Sequence, residues 1–385
     1  MKSTGLIFRL LVVSLYLYCV PAGNAVGQGV RTVQIGFAAP LTEMPGKSGR
    51  DAALLAIDEI NARPLYIAGE KIVLKLLDQD DKADVNIAIL TARYFIASKV
   101  VAVVGHWNSA ASIATAKIYS DAGIAEISPS STSTEYTQQG LPTTFRMVGH
   151  DGIRTNYIGE HVLRTLRAER IMVIDDATLF GKAIADQFIN YIQANGGLIS
   201  GRMSISNKTS NYALALESVR QARPDLIFHA GRLYSGDLNH SESLLGGLRR
   251  LGFPKNMVLA EVTIDPESMR EAALGDINIF SISPGIPFEK LPRWKSFQKN
   301  FTARFSSRIT PYTLSAYDAV YVLAEAMKQA GSLDPPRISA ILHNIKYVGL
   351  TGPISFDAKG DVTSPSYTLY QIKQGAWVPI SVLGR

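Results

Sequence analysis

Ser109, Ser130, Thr132 and Glu261 are the residues whose type and position offer chemistry. Ser109 follows a wholly apolar run, residues 100–105, and opens an amphipathic stretch. Its hydroxyl and the unbonded backbone N–H groups of a first helical turn would converge there, which is the chemistry of an anion site. Ser130 and Thr132 come just after the next apolar run, although Ser and Thr in such places also serve as helix caps and turn residues. Glu261 follows the run 257–260. A carboxylate enclosed in a closing, drying cleft is costly unless paired, so its natural complement is a cationic group, whereas on an open surface it needs none.

Other chemistries lack their residues. Gly46-Lys47-Ser48 mimics the end of a phosphate-binding loop, but Leu41 stands where the leading glycine of that loop is required. His106, His150, His161, His229, His240 and His343 show no metal-binding spacing, so no metal is expected. Neither a nucleophile elbow nor the glycine fingerprint of dinucleotide binding is present, and no cofactor is expected.

The elements that must position the four residues alternate in type. Residues 32–37, 72–77 and 100–105 read as strands, with amphipathic stretches following the first two, the second over 85–97. Run 100–105 is so uniformly apolar that it should be central and covered on both faces. A second series starts after residue 152, with strands at 171–174, 198–205, 226–229, 257–260 and 277–281 and helices at 182–194, 212–221 and 241–251. Three further helical stretches, 292–305, 313–330 and 335–343, bring no strand series and must pack on a lobe already built. The fold class is therefore α/β, with two doubly wound parallel-sheet lobes and several crossings between them. Ligands of such sheets bind outside the carboxyl ends of the strands, and here two sets of ends would face each other.

The chain has 385 residues, 46% hydrophobic and 19% charged, ample for two buried cores. Its 39 Lys and Arg against 33 Asp and Glu give +6, but the basic residues are scattered, and no nucleic-acid partner is implied. Lys2 and Arg9, the apolar run 10–20 and the small residues to Ala25 have the form of a signal peptide covering residues 1–25. The single cysteine, Cys19, falls inside it, so the mature chain is expected to be exported and to hold itself together without disulfides.

Residues spread over the chain carry a resemblance. Val104-Gly105-His106-Trp107-Asn108-Ser109, residues 118–124 and Ile127-Ser128-Pro129-Ser130-Ser131-Thr132 resemble the periplasmic leucine/isoleucine/valine-binding proteins of bacterial ABC importers. Residues 56–61, the aspartates Asp78, Asp80 and Asp81, Tyr317-Asp318-Ala319 and residues 351–357 follow in the same order, so the resemblance spans about residues 31–380.

It implies the type I periplasmic binding fold with a three-segment hinge, near residues 148–151, 281–284 and 352–355. One lobe would comprise 29–149 and 284–352, the other 150–283 and 353–385. It also implies that Ser109 holds a ligand α-carboxylate, that Ser130 and Thr132 grip carboxylate and ammonium, and that Glu261 pairs with the ammonium. Three positions depart from the family: Phe180, Arg232 and Ser48 each stand where an aromatic residue is usual, a tyrosine in the case of Phe180. Arg232 could neutralise Glu261 or bind a second acidic group, and Trp107 could supply an aromatic wall or simply pack within its lobe. The expected protein is a monomeric, non-enzymatic, periplasmic solute carrier for an amino acid or similar small carboxylate, delivering to a membrane permease. A ligand-sensing module of the same fold, signalling through a partner protein, is the other reading.

Overall fold

The computed structural model describes residues 30–42, 45–206, 209, 211–231, 244–252, 254–261 and 277–384. The segment 1–25 read as a signal peptide, with Cys19, and Arg232 lie outside them. The alternation Val33, Ile35, Phe37 forms β1 (Val30–Ala39), whose three apolar side chains enter one core. It pairs in parallel with β3 (Glu70–Asp80) on one side and β4 (Ala102–Val104) on the other. The uniformly apolar run is thus central, and β4 is buried on both faces because helices cover both. With β2 (Leu65–Ile67), β5 (Ala125–Ser128) and β6 (Thr144–Arg146), the order of the first sheet is β2-β3-β1-β4-β5-β6. Its early helices are α1 (Gly46–Asn61), α2 (Val85–Ala97), α3 (Ser109–Asp121) and α4 (Thr134–Gln138). The Asp84 carboxylate fixes the start of α2 by accepting the N–H groups of Asn86 and Ile87, as a cap should.

The second lobe begins with α5 (Asp151–Glu160) and contains β7 (Ile171–Asp175), β8 (Ile199–Ser204), β9 (Leu226–Ala230), β10 (Asn256–Leu259) and β11 (Asn278–Pro284). The helices α6 (Leu179–Ala194), α7 (Ala213–Ala222) and α8 (Leu244–Leu251) flank these strands. Two apolar clusters, one containing Phe188 and Phe228 and the other Leu245 and Met257, lie on opposite faces of the sheet.

Two features depart from the sequence reading. After the short pair β12 (Tyr347–Val348) and β13 (Pro353–Ile354), the last two strands, β14 (Tyr367–Lys373) and β15 (Ala376–Leu383), are antiparallel and extend the second sheet to β15-β14-β11-β10-β9-β7-β8, so that sheet is mixed. β15 is an edge strand with weak burial alternation and a proline, Pro379, which only an edge tolerates, so its pattern does not read as a strand. Moreover, α6 starts three residues earlier than the periodicity suggests. The Thr178 hydroxyl caps it by accepting the Gly181 N–H, and Phe180 thereby sits in its first turn.

The late helices α9 (Trp294–Arg304), α10 (Pro311–Ala330) and α11 (Pro335–Leu342) return to the first lobe, where Leu314, Val320, Leu323 and Ile338 join the core of Ile35 and Phe37. The chain therefore passes between the sheets three times: between β6 and α5, after β11, and before β14. The third passage falls later than residues 352–355. Ile354 and Phe356 belong to the first core, and Asp361 is ion-paired with Arg146 of β6, so the chain leaves the first lobe only shortly before Tyr367.

Candidate functional site

In the first sheet the strand order reverses between β1 and β4, and in the second between β7 and β9. Each reversal opens a crevice at the carboxyl ends of the strands, where the following loops diverge to opposite faces. The loop after β4 carries Trp107 and Ser109, and the loop after β5 carries Ser130 and Thr132. In the second lobe, the loop after β7 leads to Phe180 and the end of β10 leads to Glu261.

The first-lobe wall is fixed from behind by buried polar groups. The His106 carbonyl accepts the hydroxyls of Ser112 (2.9 Å) and Ser128 (2.7 Å), and the Ser130 hydroxyl donates to the Trp107 carbonyl at 2.6 Å. These bonds tie the two loops together. The His106 ring is held between Asp81 (2.7 Å) and the Tyr119 hydroxyl (3.1 Å). From beneath, Arg146 donates to the carbonyls of Ser131 (3.1 Å) and Ser133 (2.8 Å), so Thr132 lies between two anchored residues. At the start of α3 the first intrahelical bond runs from the Ser112 N–H to the Asn108 carbonyl, which leaves the preceding amides without helical partners beside Ser109. Partly exposed amides at a helix N-terminus attract an anion.

The second-lobe wall is built around Arg154, which is 1% exposed. Its guanidinium pairs with Asp151 one turn earlier on α5, donates to the Ala260 carbonyl at 3.3 Å, and lies 3.8 Å from Glu261. It also stacks 5.5 Å from the Phe180 ring centre. Burial opposes its charge, but Asp151 and Glu261 more than restore it, and the guanidinium pKa lies above its ordinary value. Hydrogen bonds that cross between the lobes include the Asp151 N–H to the Thr132 carbonyl at 2.8 Å, Arg154 to the Thr132 hydroxyl at 3.4 Å, and Tyr312 of α10 to Glu261 at 3.4 Å.

The fold that carries these groups is shared with known proteins. The family model described as "periplasmic binding protein" matches residues 32–376. The chain belongs to the periplasmic binding protein family. This periplasmic binding protein is 28% identical to the Leu/Ile/Val-binding protein homolog 1 of Brucella abortus, over 91% of this chain and 93% of that one. The branched-chain amino-acid transporter binding protein of Streptococcus pneumoniae, solved with isoleucine, is similar in fold. Its TM-score is 0.77 at 24% identity, covering 92% of this chain and all of that one. A solute-binding protein of R. palustris solved with benzoate has a TM-score of 0.75 at 16% identity, covering 91% of this chain and 96% of that one.

In this periplasmic binding protein Ser109 opens α3 with its hydroxyl accepting the Ser133 N–H at 3.3 Å, Thr132 meets Arg154 of the other lobe, and Glu261, 27% exposed, lies 3.8 Å from the same guanidinium. The Ser130 hydroxyl is engaged by Trp107 and works as a tie within the first lobe. Trp107 is 4% exposed, edge-on to Tyr312 and packed on Gly49. A Cβ at Gly49 would lie 2.1 Å from the indole, so only glycine permits that approach. Ser48 stands behind the wall, fully enclosed, and its hydroxyl meets Thr313 at 2.6 Å and the Pro45 carbonyl at 3.1 Å. Asp151, Arg154 and Tyr312 were not singled out by sequence. Arg154 had one local signal, an acidic residue three positions earlier at a helix start, but such pairs are common on helix surfaces. Among the described residues no group of His, Cys, Asp and Glu could hold a metal ion, and no helix is long and apolar enough to cross a membrane.

Behind the first-lobe wall, Glu126 accepts the His106 N–H (3.2 Å) and the Thr115 hydroxyl (3.0 Å). Burial raises its carboxyl pKa well above the ordinary range, outweighing those bonds. A carboxyl raised on folding contributes stability fully below its unfolded pKa, and that contribution is lost as pH rises through the folded value. Glu126→Gln removes the titrating proton. Thermal melts from pH 5 to 9 should therefore show a smaller fall in Tm for the variant than for the wild type, and parallel curves would contradict this assignment.

Proposed function

We propose that this protein closes two lobes around one small carboxylate-bearing solute, an amino acid of the branched-chain or a related kind, and delivers it to the membrane permease of an ABC importer. The observation that carries this reading is the opposition of unlike groups across one crevice. Ser109 and the free first-turn amides of α3 offer an anion site on one lobe, and the second lobe presents Glu261 and the aromatic Phe180. The relatives support the same reading, since one solved protein of this fold holds isoleucine and another benzoate. Both are carboxylates.

The mechanism is hinge closure at the three passages, with the solute first held by the Ser109–Thr132 wall and then covered by the second lobe. In this reading the protein works in the periplasm as a monomer that binds and releases its solute unchanged, which is supported by relatives described as binding proteins. Ser109→Ala and Thr132→Ala should each weaken solute binding by roughly 1 to 3 kcal/mol through lost charge-assisted hydrogen bonds. Calorimetry of each variant with leucine checks this, and wild-type affinity would remove that residue from the site.

A further inference from the structure

We propose that Arg154 is the resident counter-ion of Glu261 and thereby sets the solute class, so that carboxylates are bound with little dependence on an amino group. This rests on the carboxylate reading above and says which part of the solute that site reads. Glu261 is the acidic group expected to meet a ligand ammonium, yet its Oε1 already lies 3.8 Å from the Arg154 guanidinium and accepts the Tyr312 hydroxyl at 3.4 Å. Arg154 also pairs with Asp151, but Asp151 occupies the first helical position of α5, where the helix N-terminus supports a negative charge. The guanidinium is therefore not consumed by Asp151 alone.

The placement of Arg154 is that of a built part of the site. It is almost wholly buried on the second lobe, stacks on Phe180, and reaches Thr132 of the first lobe. Its Nε and the Asp151 Oδ2 are buried without a hydrogen-bond partner among the described residues, so polar capacity remains beside the crevice. An amine entering beside Glu261 would share it with a cation already there, and its gain is only the difference between two pairings. Without Arg154, Glu261 would lose the cation now beside it, and an amine would gain the pairing that Arg154 holds.

The test compares leucine with 4-methylpentanoate, the same solute without its amino group, by calorimetry on the mature protein. In the wild type the two dissociation constants should lie within about tenfold of each other. In Arg154→Gln the preference for leucine should rise by about tenfold or more, and in Glu261→Gln it should nearly vanish. Should Arg154→Gln fail to fold, Asp151→Asn combined with Arg154→Gln removes both members of the buried pair and serves the same comparison. A merely structural role would weaken both solutes equally, and an unchanged ratio in the Arg154 variant overturns the inference while the carboxylate reading stands. A wild-type preference well above tenfold overturns it as well. Binding of neither solute overturns the carboxylate reading, and this inference falls with it.

Discussion

Arg146→Ala should cost about 3 to 5 kcal/mol of stability, the range for breaking a buried ion pair by removing one partner. Arg146 is fully buried. Its guanidinium binds the Asp361 carboxylate (2.5 Å), the Thr137 hydroxyl (2.5 Å) and the carbonyls of Ser131 and Ser133. Removing it takes the ion pair from the mostly buried Asp361, the guanidinium donor from the Ser131 carbonyl and one of two donors from the Ser133 carbonyl, which keeps the Tyr136 N–H. Lysine keeps the charge but not the planar fork, so Arg146→Lys should recover only part of the loss. The measurement is urea unfolding followed by tryptophan fluorescence, since Trp107 and Trp294 both report on the first lobe. A loss under about 1 kcal/mol would mean that the contacts around Arg146 contribute little net stability. The same variant should bind leucine less tightly, because Thr132 lies between the two carbonyls that Arg146 anchors.

The second large effect is expected at Asp318. This residue of α10 is buried, and its carboxylate accepts the N–H groups of Leu350 and Thr351, each at 2.7 Å, and the Thr351 hydroxyl at 2.6 Å. Burial raises its pKa and those three bonds oppose the rise. The fit requires Gly349, where a Cβ would lie 2.4 Å from the carboxylate. Asp318→Ala leaves two buried or partly buried amides without an acceptor and should cost roughly 3 kcal/mol, at about 1 to 3 kcal/mol per orphaned group. Asp318→Asn should cost somewhat less, because one oxygen remains to accept. Equal urea midpoints for wild type and Asp318→Ala would contradict the assignment. Two landmarks that lie far apart in the sequence, Tyr317-Asp318-Ala319 and the turn before Pro353, are thus one hydrogen-bonded unit.

The parts of the fold that were legible in the sequence are those where one local rule acts alone. The apolar run 100–105 reads as a central strand and contains β4, and α2 begins and ends where the periodicity over 85–97 places it. β15 was not legible because an edge strand with a proline and a half-wet face has no clear period. The site divides in the same way. Ser109, Thr132 and Glu261 could be singled out because each follows a strand and stands where the family resemblance implies a ligand contact. Arg154 could not, since its importance comes from contacts with the residues that follow β10, Ala260 and Glu261, about a hundred positions away. Nor could sequence show that Ser48 is enclosed and that the Ser130 hydroxyl is occupied, because both depend on side chains from other segments. The question posed by Arg232, whether a cation neutralises Glu261, acquires a different subject in Arg154.

The most direct test of the central claim is a thermal-shift measurement on residues 26–385. The protein is first freed of co-purified solute by partial unfolding and refolding. It is then offered leucine, isoleucine, their deaminated acids, benzoate and, for contrast, neutral sugars and amides. A solute at about 1,000 times its dissociation constant adds about 4 kcal/mol to the folded state, enough to raise Tm by several degrees. The account predicts that at least one small carboxylate does so, and that Ser109→Ala diminishes the shift. A shift with a neutral sugar or amide and none with any carboxylate would contradict it.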